Sequence, residues 1–177
     1  MDDILLTLRT FGKAVVNSAR YELGTQDKKV TERLFKSLTY EVTQPNKGIY
    51  IVDFLMEKYG LYIDKGVSGT KVKRNTPYAF RSKGGKQGLK GMPPPSKFDQ
   101  WTVRRGIAPR DAKGRFLPRK QVDFAIARSV FEKGIKPSLF FTKPFDKYFA
   151  ALAGKIGEDF NLNIIQTIKK LEENGKN

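Results

Sequence analysis

The chain has 177 residues, 39% of them apolar, with thirteen Phe and seven Tyr, enough for a packed core and too apolar for wholesale disorder. It contains neither Cys nor His and carries a net charge of +16. A disulfide framework, thiolate chemistry and a Ser–His–Asp nucleophile are therefore excluded, and the commonest zinc ligand and general base are missing. The start is acidic and the apolar residues are spaced, so neither a signal peptide nor a membrane span is expected.

In chain order, residues 3 to 23 predict an amphipathic helix. Ile4, Leu5, Leu8, Phe11, Val15, Ala19 and Leu23 recur at threes and fours on one stripe. Asp2 or Asp3 suits its start and Gly24 its stop. Thr31, Leu34 and Leu38 suggest a short helical turn. The segment 37–43 then alternates, with Leu38, Tyr40 and Val42 on one face and Thr39, Glu41 and Thr43 on the other. A turn signal at "QPNKG" separates it from a second strand, "IYIVDFLM", and the two predict an antiparallel hairpin. A short helix closed by Gly66 follows.

Residues 96–106 predict a short helix with Ser96 as N-cap, bringing Phe98, Trp101 and Val103 together. Residues 121–135 predict a longer helix ended by Gly134, with Val122, Ala125, Ile126, Ser129, Val130 and Lys133 on its period. From Pro144 to Glu173 a last long helix is expected, carrying Phe145, Phe149, Leu152, Ile156, Phe160, Ile164, Ile168 and Leu171 on one stripe, with Gly154 and Gly157 weakening it midway. The fold class is α+β: long N- and C-terminal amphipathic helices packed on a small antiparallel β-sheet. The chain reads as one domain over residues 1–177, with a basic Gly/Pro-rich excursion at 66–120.

That excursion holds the charge. Residues 71 to 120 contain fifteen Lys or Arg against Asp99 and Asp111 alone. Such a block draws phosphates or acidic protein surfaces through salt-dependent forces. Its candidate contact residues are Lys71, Lys73, Arg74, Arg81, Lys83, Lys86, Lys90, Arg104 and Arg105, with Tyr78, Phe80 and Trp101 as aromatic anchors. The stretch 66–95, with six Gly and four Pro, reads as an extended contact arm without core positions of its own.

Catalytic patterns are thin. Asp27-Lys28-Lys29 and Asp111-Ala112-Lys113 lie outside strand patterns, and Asp53 and Glu57 beside Lys58 lack the usual carboxylate spacing of a nuclease. Gly84-Gly85-Lys86-Gln87-Gly88 is glycine-rich but is no phosphate-binding loop. The expectation is a non-enzyme with no catalytic residues, cofactor or metal.

The order of signals carries a resemblance. An amphipathic helix leads to Thr31-x-x-Leu34-x-x-Ser37-Leu38 and a strand pair. The segment "YGLYIDKG" (59–66), the segment "FAIARSVFEKGIKPSLFF" (124–141) and a helix beginning "KPFDKYF" follow. This resembles the tail-completion and head–tail joining proteins of tailed bacteriophages. That family has Gly where Glu32 stands, and an acidic-x-Gly element matched by Asp64-Lys65-Gly66. The resemblance spans about residues 1–66 and 119–172 and leaves the excursion outside it. It implies a non-catalytic virion protein, made in the host cytoplasm, that forms a homo-oligomeric ring at the head–tail junction. The implied partners are other connector, portal or tail proteins, with double-stranded DNA in the lumen and no membrane. The alternative from the residues themselves is a stand-alone basic nucleic-acid-binding protein, since rings interleaved with cations can stack on bases while the cations hold phosphates.

Overall fold

The computed structural model describes residues 2–25 and 32–157. The fold is α+β, with long terminal helices packed on a two-stranded antiparallel sheet and with loop insertions between them. The elements are α1 (Asp2–Thr25), α2 (Arg33–Ser37), β1 (Thr39–Asn46), β2 (Ile49–Leu55), α3 (Gly60–Lys65), β3 (Val67–Ser68), α4 (Asp99–Arg104), α5 (Arg119–Lys133) and β4 (Gly134–Ile135). A last helix, α6, covers residues 142–157. The contacts group the described residues into two compact units. One holds 2–25, 33–57 and 140–157; the other holds 32 and 58–139.

The first unit follows the periodicities. Leu8, Phe11, Val15, Ala19 and Leu23 of α1 are buried, as their stripe requires. Leu8, Phe11 and Val15 form the core with Leu152 of α6, and Val42, Tyr50, Val52 and Phe54 of the hairpin pack against it. The rings interlock edge to face: Phe11 on Phe54 at 5.8 Å, Phe54 on Phe141 at 5.2 Å. Gly12 lets α1 lie directly on the Tyr40 ring, which a Cβ there would penetrate. The hairpin register sets Tyr40 opposite Phe54 and Val42 opposite Val52 facing inward. It sets Glu41 opposite Asp53 facing solvent.

Several expectations are corrected here. The helix α1 runs one residue past Gly24, and α6 begins at 142, which leaves Pro144 in its first turn. Phe149 lies on the apolar period of α6 yet is 54% exposed, stacked on Phe145 at 5.5 Å. Gly154 and Gly157 have open space beside them among the described residues rather than a close packing partner. The expected continuation of α6 to Glu173, with Phe160, Ile164, Ile168 and Leu171, lies outside the described residues, as do Thr31 and the Asp27-Lys28-Lys29 triplet.

The second unit is built by two helices whose C-terminal carbonyls are capped from outside. A helix leaves its last carbonyls without intrahelical donors. At the end of α5, the Thr70 N–H donates to the Phe131 carbonyl, and the Lys71 and Val72 N–H groups donate to the Glu132 carbonyl. At the end of α3, the Ser138 N–H and hydroxyl donate to the Ile63 carbonyl, and the Leu139 N–H donates to that of Asp64. The segment after each helix thus caps the other helix. Between the caps, β3 pairs antiparallel with β4, Val67 opposite Ile135 and Ser68 opposite Gly134. Residues 78–80 run parallel along the other edge of β3 through the Ser68–Ala79 bridge.

The glycines at this clasp are sterically required. Gly66 adopts φ +74°, and a Cβ on it would stand 2.6 Å from the Ile135 carbonyl oxygen. A Cβ on Gly69 would overlap the Glu132 carbonyl.

Three further expectations change in this unit. Ser96 is not an N-cap: it sits in a 3-10 turn, Pro95–Lys97, and α4 starts after Phe98. The buried face of α5 is Val122, Asp123, Ala127 and Phe131, whereas Ala125 is exposed. Asp123 is buried against α4, where the Thr102 hydroxyl lies 3.1 Å from its carboxylate and 2.8 Å from the Asp99 carbonyl. The start of the arm is also not free of packing, since Val67, Ser68 and Gly69 are buried.

Candidate interaction surface

The sequence-predicted arm residues fall into three groups. The first is paired with the C-terminal end of α5. Lys71 pairs with Glu132 at 3.1 Å. Arg74 donates from its guanidinium to the Lys133 carbonyl at 2.9 Å, and its backbone is tied to the Ser68 hydroxyl. Both cations stand at the C-terminal end of α5, where the helix dipole favours positive charge. Glu132 is held by Arg128 first and Lys71 second, and these hydrogen bonds keep its carboxyl below the usual glutamate range.

The aromatic anchors form the second group. Tyr78 meets Tyr62 edge to face at 4.6 Å. Phe80 tilts against Phe131, a fully buried residue, at 5.9 Å. Trp101 is half-buried, with the Arg105 guanidinium 5.6 Å from its ring centre. Tyr78 and Phe80 therefore fasten the excursion to its own unit.

The third group faces water. Lys73, Arg81, Lys83, Lys86, Lys90, Arg104 and Arg105 are exposed. Four of them, Arg81, Lys83, Lys86 and Lys90, belong to one closed loop. The Lys83 N–H donates to the Lys90 carbonyl at 2.7 Å, and the Lys90 N–H donates to Gly84 at 2.9 Å. The Ser82 hydroxyl closes onto the Gly88 carbonyl. Gly84, Gly85 and Gly88 all have positive φ, and so does Gln87 between them at +56°. The glycines are there to turn the chain tightly. The sequence pattern reads them as slack, while the backbone uses them for a compact projection tipped with lysine.

A second basic loop lies inside the expected excursion, and none of its residues is among the candidate contacts. Residues 109–117 fold back through the Arg110–Phe116 bridge. The Asp111 carboxylate accepts the N–H groups of Lys113 and Arg115, each at 2.9 Å. Its carboxyl is lowered chiefly by the Arg115 backbone hydrogen bond, so Asp111 organises a turn. The Arg110 guanidinium stacks 3.8 Å over Phe116, which is 62% exposed. The signal was Asp111-Ala112-Lys113-Gly114, a turn motif between two basic residues.

The charge is sharply partitioned. Residues 58–139 hold twenty of the thirty-four Lys and Arg and five of the eighteen acids, a net +15, while the remaining residues net +1. Among the described residues no group of three Asp or Glu stands close enough to hold a metal ion, and no helix is long and apolar enough to cross a membrane.

No protein-family model, curated protein or solved structure matches the chain.

Proposed function

We propose that this chain is a structural virion protein of a tailed bacteriophage. In this reading its copies close into a ring at the head–tail connector that joins the portal or an adaptor to the tail. The observation that carries the reading is the clasp of the second unit. Two of the segments that carry the resemblance, 59–66 and 124–141, are far apart in sequence. The hydrogen bonds from Ser138 and Leu139 to the end of α3, and the fit of Gly66 against Ile135 and Pro137, bring these segments into one motif. The acidic-x-Gly element owes its glycine to that fit.

A second feature supports it. Glu32 stands where the family pattern has Gly, and its backbone is left-handed, with φ +49°. Glycine adopts that conformation at no steric cost. The position thus has a backbone that a glycine would adopt without strain. The reading assigns no catalytic residue, cofactor or metal to the chain; its work is done by surfaces.

The outward lysine loop also favours a second reading, a basic nucleic-acid-binding protein. Against it, Tyr78 and Phe80 spend their rings inside the unit, which removes two of the surfaces on which bases would stack. Sedimentation of nucleic-acid-free protein separates the two. A closed multimer with ring images in negative stain is expected. A monomer that binds duplex, with log K falling by roughly 0.9 per phosphate contacted for each tenfold rise in salt, would transfer the chain to the second reading.

A further inference from the structure

We infer that the outer face of the β1–β2 hairpin receives the lysine loop, residues 81–90, of a second copy of this chain. The inference rests on the ring reading and names the two surfaces that would make the contact.

The acceptor is an unpartnered sheet face. In β2 the solvent-facing positions are Ile49, Ile51, Asp53 and Leu55, of which the three apolar ones are 52%, 42% and 43% exposed. The water-facing side of an antiparallel sheet is ordinarily polar. Apolar residues grouped there mark a surface that is covered in use. The centre of this face carries an uncompensated charge. Glu41 and Asp53 are direct cross-strand partners, both exposed, and among the described residues neither side chain has an ion pair or hydrogen bond. Like charges directly opposite each other destabilise a sheet. A cation placed between them would turn that repulsion into attraction.

The donor has the complementary chemistry. Lys83, Lys86 and Lys90 project from a loop closed on itself by backbone hydrogen bonds, and among the described residues their ammonium groups have no ion-pair partner. A preformed loop loses little freedom on binding. The segment that carries it nets +15, and the acceptor lies in the part of the chain that nets +1. Donor and acceptor are different surfaces, so the contact is head-to-tail. Such contacts propagate from copy to copy and generate a ring when the rotation closes. DNA would also take the lysines, but it would leave the apolar hairpin face and its acid pair without a role.

The test is a charge exchange in the full-length protein, read by sedimentation velocity. The double variant Glu41→Lys/Asp53→Lys and the triple variant Lys83→Glu/Lys86→Glu/Lys90→Glu are each expected to lose the multimer while keeping the wild-type circular dichroism spectrum. Mixed in equal amounts they are expected to regain it, since each variant's altered surface then meets the other's. Ile51→Thr, which leaves every charge in place, is expected to weaken assembly at least tenfold in concentration. Rings that persist in both charge variants would overturn this contact and leave the ring reading standing. A wild-type chain that stays monomeric would remove both. A triple variant that assembles normally and loses only duplex binding would assign the loop to DNA.

Discussion

Gly66 shows how a single position decides the second unit. Its φ of +74° and the Ile135 carbonyl oxygen 2.6 Å from any added Cβ act together. Gly66→Ala combines backbone strain with overpacking and is expected to cost at least about 2 kcal/mol in denaturant melts; an unchanged midpoint would mean that the clasp does not hold the unit together. Glu32 is the opposite case. Glu32→Gly relieves a left-handed residue at φ +49° and is expected to leave the melting temperature equal or higher, whereas Glu32→Val lowers it. Glu132 links the clasp to pH. Its folded pKa is depressed by Arg128 and Lys71, so its anion stabilises the fold at neutral pH. That contribution is present above the ordinary glutamate pKa, roughly 4.3, and is lost as pH falls through the lower folded value. The protection factors of the Lys71 and Val72 amides, relative to the intrinsic exchange rate at each pH, are expected to fall in wild type as Glu132 protonates. In Glu132→Gln these protection factors are expected to be lower than in wild type and to lose that pH dependence, because the side-chain tie to Arg128 and Lys71 is weakened at every pH.

At the scale of elements, the sequence speaks clearly where burial is apolar and periodic. The stripe of α1 and the alternation of β1 and β2 are hydrophobic signals, and the residues they single out form the core of the first unit. The helix α5 was readable in extent but not in phase, because a buried Asp123 bonded to Thr102 looks like a solvent residue in any hydropathy pattern. The caps exchanged by α3 and α5 were illegible for a simpler reason: they are backbone groups, and their trace in the sequence is three glycines, Gly66, Gly69 and Gly134. The same reasoning sorts two phenylalanines. Phe131→Ala is expected to cost about 3–5 kcal/mol, since Phe131 is 1% exposed. Phe149→Ala is expected to cost about 1 kcal/mol, since 54% of that residue is already in water. Equal losses in thermal melts would contradict this burial pattern. In the hairpin, Glu41→Lys alone replaces a like-charge pair with an opposite one and is expected to stabilise the monomer by about 0.2–1 kcal/mol while weakening assembly.

For the whole molecule, the expected arm at 66–95 divides into a packed start and a projecting loop. Residues 66–80 are part of the second unit, through β3, the caps on α5 and the Phe80 contact with Phe131. Removing 71–92 would take away the Lys71 and Val72 caps and the Phe80 ring and could not separate folding from function. The loop at 83–90 can be removed cleanly, because its ends already meet at the Lys83–Lys90 hydrogen bond. The most direct measurement uses that deletion, bridged by a short Gly/Ser linker, in an in vitro joining assay. On the proposed function, phage particles made without this protein would supply DNA-filled heads and finished tails; the purified protein would be added back and joined particles counted by electron microscopy. The account predicts that the full-length chain joins heads to tails and that the deleted chain, folded by its melting curve, does not. Heads and tails that join equally well with no protein added, or with the deleted chain in its place, would contradict it.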